Sequence, residues 1–284
     1  VKNSLDYKYQ PIILIGAGRS GTKIIRDVIG HHKDISVVPF DVNYIWTIGQ
    51  RKENDALEAH DLTEDNRNLI LKQFNKISDG SPFLLEKTVS NSLRIPYVLK
   101  VFPDAKILHL VRDGRDVVES VMRQWGEVRE AGYFVKKMKT FPIRYSLRYL
   151  VDYLTNWFKH ALGGKGNQDY IWGVKYPGYQ EDLANLPTLE ICAKQWMICV
   201  ETSIRQLRKI DQSKILEIRY EDLVSDPKRH FHSIAAHIGV DTEGFGIAKL
   251  SNKNVGKHLG VFNTEHLKAV MSIMGPTLAK LNYR

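Results

Sequence analysis

Five short apolar runs, at residues 11–15, 35–38, 82–86, 106–111 and 214–219, alternate along the chain with longer stretches whose apolar positions recur every three or four residues. The runs IILI and ILHLV are apolar without alternation, as strands covered on both faces are. The longer stretches, 22–31, 64–78, 92–102, 114–125, 145–162, 189–210, 227–238 and 264–274, read as helices. Pro96 falls near the start of the third, where its missing N–H costs least. Strands and helices in alternation predict an α/β fold, a mostly parallel sheet of about five strands with helices on both faces. The polar segment 46–62 has no period and reads as a loop or insertion, and 163–167 (GGKGN) as a turn-rich break. No repeat or low-complexity linker divides residues 1–284, so one domain is expected.

With 284 residues, 43% hydrophobic and 26% charged, the chain can bury a sizeable core and is not mainly disordered. No apolar run approaches the roughly 18–20 residues that span a bilayer. The net charge of +9 points to an anionic ligand or surface. It is concentrated in 133–165, where seven basic residues stand against one acid, Asp152. Tyr149, Tyr153, Trp157 and Phe158 keep helical spacing there, which reads as an amphipathic helix with a solvated basic face. Nucleic acid is not expected as a partner. Cys192 and Cys199, seven apart on a helix, would sit about 10 Å from one another, too far for a bridge. Two buried thiols fit a reducing, cytoplasmic setting. No secretory signal is visible, but the chain starts at Val1, so a trimmed targeting or anchor segment stays open.

The strongest local signal is IILIGAGRSGTKIIRDVI, a buried strand, a glycine-rich turn and an amphipathic helix. Glycines let backbone approach a ligand, and the helix start offers free N–H groups to an anion. Arg19, Ser20, Gly21, Thr22 and Lys23 surround that start. Three readings compete. Gly16, Gly18 and Gly21 satisfy the dinucleotide pattern GxGxxG, with Asp41 placed as its ribose-binding acid. A Walker A loop needs lysine before threonine, whereas here Thr22 precedes Lys23. The third reading is a sulfonucleotide loop, for which Arg-Ser-Gly-Thr is typical.

A second anion site follows in FPDAKILHLVRDGRDVVESVMRQW. A strand delivers Arg112 at its carboxyl end, where such sheets bind ligands, and Ser120 lies about two turns along the next helix. Arg112 offers a planar fork for a phosphate and Ser120 a hydroxyl. Arg115 and Asp116 read more simply as charges paired among themselves.

Together the blocks GAGRSGTK, LLEKT, LVRDGRDVVES and IRYEDLVSDPKRHFHSIAAHIG resemble the sulfotransferases that use 3′-phosphoadenosine 5′-phosphosulfate (PAPS). The Glu-Lys-Thr form is similar to tyrosylprotein sulfotransferases and their bacterial relatives. The resemblance implies a P-loop nucleotide-binding-like core and transfer of a sulfuryl group to an acceptor hydroxyl, leaving adenosine 3′,5′-bisphosphate. It implies that residues 19–23 cradle the 5′-phosphosulfate, that Arg112 and Ser120 hold the 3′-phosphate, and that Tyr220 contacts the cofactor. It gives Lys87 a place beside the transferring group. NVGK (254–257) resembles the family's late basic loop, with Lys257 over the 3′-phosphate.

The chemistry needs positioning and charge stabilisation, which lysine and arginine supply without a metal. No HExxH or clustered Cys/His set is present in the sequence, and no metal requirement is expected. Asp41 is the best candidate general base, or else caps the segment after it. Glu86 should point to the face opposite Lys87 by strand alternation. Lys23 supplies a second positive charge at the sulfuryl group or faces solvent. His31 and His32, ending the first helix, read as structural caps. WGVKYPGY (172–179) is a turn with exposed-type aromatics that could line the acceptor cleft. The acceptor expected is a hydroxyl, with a phenol, an acidic peptide or a glycan as the options. A P-loop kinase, an NAD-dependent oxidoreductase and a non-catalytic sulfonucleotide-binding module are the alternatives.

Overall fold

The computed structural model describes residues 6–127 and 171–283; the basic stretch at 133–165, with the expected helix at 145–162 and the break at 163–167, lies outside them. Strands β1 (Gln10–Ile15), β2 (Ile35–Val37), β3 (Phe83–Glu86), β4 (Lys106–Val111) and β5 (Ile215–Arg219) form one sheet in the order β2–β3–β1–β4–β5. All four pairings are parallel. The helices are α1 (Thr22–Ile29), α2 (Asn43–Trp46), α3 (Glu64–Ile77), α4 (Ile95–Val101), α5 (Gly114–Glu127), α6 (Tyr179–Asn185), α7 (Thr188–Leu207), α8 (Tyr220–Ser225), α9 (Pro227–Ile238) and α10 (Thr264–Lys280). Among the described residues no helix is long and apolar enough to cross a membrane.

The central position of β1 explains its unbroken apolar run. Ile12 and Leu14 pack with Ile25 of α1 and Ile234 of α9, while Ile13 and Ile15 face Trp46, Phe74 and Phe102 on the other side. Those three rings interlock, with centroids 5.0 Å apart for Trp46–Phe74 and 5.3 Å for Phe74–Phe102. A third cluster joins α5, α7 and α10 through Val118, Trp196 and Met274.

The segment 46–62 is a loop with one 3-10 turn, as expected, but it is not wholly at the surface. Trp46, Leu57 and Leu62 are buried, spaced too irregularly along loops and short turns to show a period. Likewise Tyr176, expected to be exposed, is fully buried and donates from its hydroxyl to Asp182 at 2.8 Å. The helix expected from 92 starts only at Ile95, because Val89–Leu93 forms a 3-10 turn. The last helix runs past its expected end, through Pro276 to Lys280, because Thr277 and Leu278 continue its buried face.

Candidate active site

The carboxyl ends of β3, β1 and β4 lie side by side, at the topological switch point of the sheet, and each delivers a charged or glycine-rich segment. In register, Ile13 of β1 sits opposite Glu86 of β3, and Ile15 opposite His109 of β4. Lys87 and Arg112 therefore flank the turn after β1 from its two neighbouring strands.

That turn is held tightly. A Cβ on Gly16 would meet the Leu110 carbonyl at 2.8 Å. Arg19 takes a left-handed conformation, φ 66°, uncommon for a side chain of its size. Gly21 has φ 99°, and a Cβ there would lie 2.5 Å from the Tyr220 ring. Ser20 is buried, and its hydroxyl donates to the Ala17 carbonyl, so its side chain closes the turn. Thr22 is buried too, whereas Lys23 is exposed on the first turn of α1. That first turn has no acidic residue and no side-chain cap, which leaves its N–H groups to an anion.

Arg112 is 5% exposed and lies over the Tyr220 ring, 4.6 Å from its centroid. Its Nη1 donates to the Arg19 carbonyl at 3.1 Å and its Nη2 to the Asn254 carbonyl, while its buried Nε has no protein partner. Arg19 Nε donates to Ser120 Oγ at 3.0 Å. Arg19, Arg112, Ser120 and Tyr220, distant in sequence, thus form one cluster. Lys257 stands at its edge, exposed, in the turn Lys257–Gly260. Arg115 pairs with Asp113 at 2.7 Å, but Asp116 does not join that local pair. It lies buried against Arg112 and His258, a contact across 142 positions that sequence spacing cannot show.

On the β3 side, Lys87 donates from Nζ to Asp41 Oδ1. Asp41 is not the cap of α2; Val42 holds that position and no side chain caps it. Beneath this pair Glu86 is buried, accepting from the Thr88 hydroxyl and from Asn91 Nδ2 at 2.8 Å. Burial pushes its carboxyl up to about 7; the Thr88 bond offsets part of that, and the Asp41 charge adds to it. Thr88 also accepts from the Val42 N–H at 3.0 Å, tying the residue next to Asp41 to the strand end. Arg94 is fully buried; it donates to Asn91 at 2.9 Å and to Asn43 at 2.6 Å, and burial lowers its guanidinium to about 10. Asn43 passes the chain on to Asp55 at 2.8 Å. Sequence reading missed this network beyond Glu86 and Thr88 of LLEKT, since Asn91, Arg94, Asn43 and Asp55 carry no motif. The polar run Ser90–Asn91–Ser92 ahead of Arg94, between the strand at 82–86 and the helix expected from 92, was the available signal.

His32 is buried at the far end of α1, its Nε2 3.2 Å from Asp241 and its Nδ1 accepting from the Asp34 N–H. His31 lies against the Asp27 carbonyl and Lys249. Both sit at the helix end away from the glycine-rich turn, as structural caps would.

A parallel sheet in this order, with a glycine-rich turn after its central strand and a buried arginine after the neighbouring one, defines an α/β protein that gathers hydrogen-bond donors at its strand ends. The sequence model of the sulfotransferase family matches residues 11–177 and 167–244, and the chain belongs to that family. It is 23% identical over 277 residues to an uncharacterized protein of Aquifex aeolicus, an alignment covering 88% of this chain and 34% of that one. It is 31% identical over 137 residues to the protein-tyrosine sulfotransferase of Drosophila melanogaster, covering 42% of this chain and 27% of the other. The chain thus spans about a third of the length of such relatives. Among solved structures, a sulfotransferase from Alicyclobacillus acidocaldarius superposes with a TM-score of 0.54 at 18% identity, covering 96% of this chain and 94% of that one. A sulfotransferase from Mycobacterium avium does so with 0.55 at 12%, covering 98% and 78%. These likenesses establish the fold.

Proposed function

We propose that the chain transfers the sulfuryl group of PAPS to an acceptor hydroxyl. The observation that carries this reading is the buried Arg112, stacked on Tyr220 with Nε unpartnered, beside a glycine-rich turn whose helix start bears no acid. These features fit a nucleotide with two anionic groups. A dinucleotide or a magnesium nucleotide gives Arg112 no such task.

When bound, the nucleotide supplies the sulfuryl group attached to a phosphate leaving group. Arg19, the N–H groups of residues 20–23 and the exposed Lys23 would hold its 5′ end; Arg112, Ser120 and Lys257 would hold the 3′-phosphate, with Tyr220 beneath. Lys87 would stabilise negative charge at the reacting centre. Asp41, 38% exposed and engaged at only one oxygen by Lys87, keeps lone pairs for the acceptor's O–H and would take its proton. The relatives named protein-tyrosine sulfotransferases favour a phenolic hydroxyl on a peptide as the acceptor.

The test is calorimetric binding of adenosine 3′,5′-bisphosphate, ADP with magnesium, and NAD, followed by radiolabelled sulfate transfer from PAPS to an acidic tyrosine peptide. Bisphosphate binding without metal, and label on the peptide, are expected. Preference for NAD or magnesium-ADP sinks the reading; bisphosphate binding with no transfer to any hydroxyl acceptor leaves the binding module in its place.

A further inference from the structure

Asp116 is 1% exposed, one helical turn beyond Arg112. A buried carboxylate beside an anion site opposes the anion unless its charge is engaged elsewhere. Here it is engaged by one short segment of the chain. Asp116 Oδ2 accepts from the Gly256 N–H at 2.8 Å and faces Arg112 Nη2 at 3.7 Å. Its Oδ1 accepts from the His258 N–H at 3.1 Å and lies 2.7 Å from His258 Nδ1. Burial alone would raise this carboxyl; the bonds from His258 and Gly256 and the Arg112 charge outweigh it and lower the pKa.

Within 251–260 the side chains are otherwise exposed, and His258 is the buried one. A segment so thinly packed would open at little cost if nothing tied it down. The two residues bonded through their N–H groups to Asp116 stand on either side of Lys257. Its backbone is therefore fixed while its ammonium remains free to reach a ligand, and Arg112 grips the same segment through the Asn254 carbonyl.

We propose that Asp116 is a positioning residue that pins segment 254–258 over Arg112, and that it sets the preference for a 3′-phosphorylated nucleotide. The proposal rests on the sulfonucleotide reading and adds to it the group that builds the 3′-phosphate pocket before ligand arrives. A site organised in advance spends less of its binding energy on ordering a loop.

The experiment is calorimetry on the full chain and its Asp116→Ala, Asp116→Asn and His258→Ala variants, with adenosine 3′,5′-bisphosphate and with AMP, which lacks the 3′-phosphate. Asp116→Ala should weaken the bisphosphate about tenfold or more and AMP no more than about twofold. Asp116→Asn, which still accepts at one oxygen, should recover part of the loss. His258→Ala, which keeps both backbone bonds, should cost about threefold for the bisphosphate alone, and it carries the test if Asp116→Ala does not fold. Unchanged preference in the variants, or parallel weakening of both nucleotides, overturns the role of Asp116. A parent chain that does not prefer the bisphosphate overturns the sulfonucleotide reading itself.

Discussion

The ammonium of Lys87 is bound to the carboxylate of Asp41, two groups 46 positions apart that leave the ends of adjacent strands β3 and β2. Lys87 is 8% exposed and Asp41 38%, so the lysine is buried while the carboxylate opens to solvent. Asp41→Asn keeps the size and removes the proposed base. It should lower kcat about 10²- to 10⁴-fold with bisphosphate affinity near the parent value. Lys87→Ala should cost at least as much, and Lys23→Ala less than either. Steady-state sulfate transfer and calorimetry on the same preparations check the order.

Gly21→Ala combines two costs, a left-handed backbone and a methyl driven into the Tyr220 ring. A stability loss of about 2–4 kcal/mol is expected, together with loss of nucleotide binding. Tyr220→Ala, which empties a buried site of its own, should cost less in the Gly21→Ala background than in the parent, because the clash goes while the left-handed backbone remains. Denaturant melts of the single and double variants measure that difference.

Glu86 gives stability a pH dependence of definite sign. Its folded carboxyl, near 7, holds a proton more tightly than the unfolded chain does at 4.5. The folded state is therefore favoured at low pH, and that contribution is lost as pH rises from about 4.5 through 7, by at most about 3 kcal/mol. Glu86→Gln should flatten this part of the profile and be more stable than the parent at pH 8 relative to pH 5. Melts across pH 5–8 decide it, and equal slopes for the two proteins would remove Glu86 from the account.

Arg94→Lys keeps the charge but cannot bond Asn91 and Asn43 together through a planar fork. The expected cost is about 2–3 kcal/mol, seen as a shift in the denaturation midpoint, with a rise in KM for the acceptor as the wall bearing Asp41 loosens.

The strands were legible because β1 and β4 are buried on both faces and leave unbroken apolar runs in the sequence. Arg19 and Arg112 could be singled out because each follows the carboxyl end of an apolar strand, and the structure brings them together through the Arg19 carbonyl. Asp116 could not, because its partners lie 140 and 142 positions away and are chosen by tertiary packing. The burial of Trp46, Leu57 and Tyr176 was not visible for a related reason. Loop residues that plug a core obey the shape of the hole they fill rather than a helical or strand period. Ser20 was identified by motif, but its hydroxyl turns inward to the Ala17 carbonyl, a choice made by the geometry of the turn.

Asp55 joins parts of the chain that meet nowhere else in sequence. Its carboxylate takes bonds from Asn43, from the Ser90 hydroxyl and from the Lys175 N–H, and its own N–H returns to the Lys175 carbonyl. Three loops thereby share one buried acceptor, and none can peel away without stranding the other two. Amide hydrogen exchange around residues 42, 91 and 175 should accordingly run at a common rate and through a common opening. The segments around residues 43, 90 and 175 behave as one cooperative unit, assembled or lost whole.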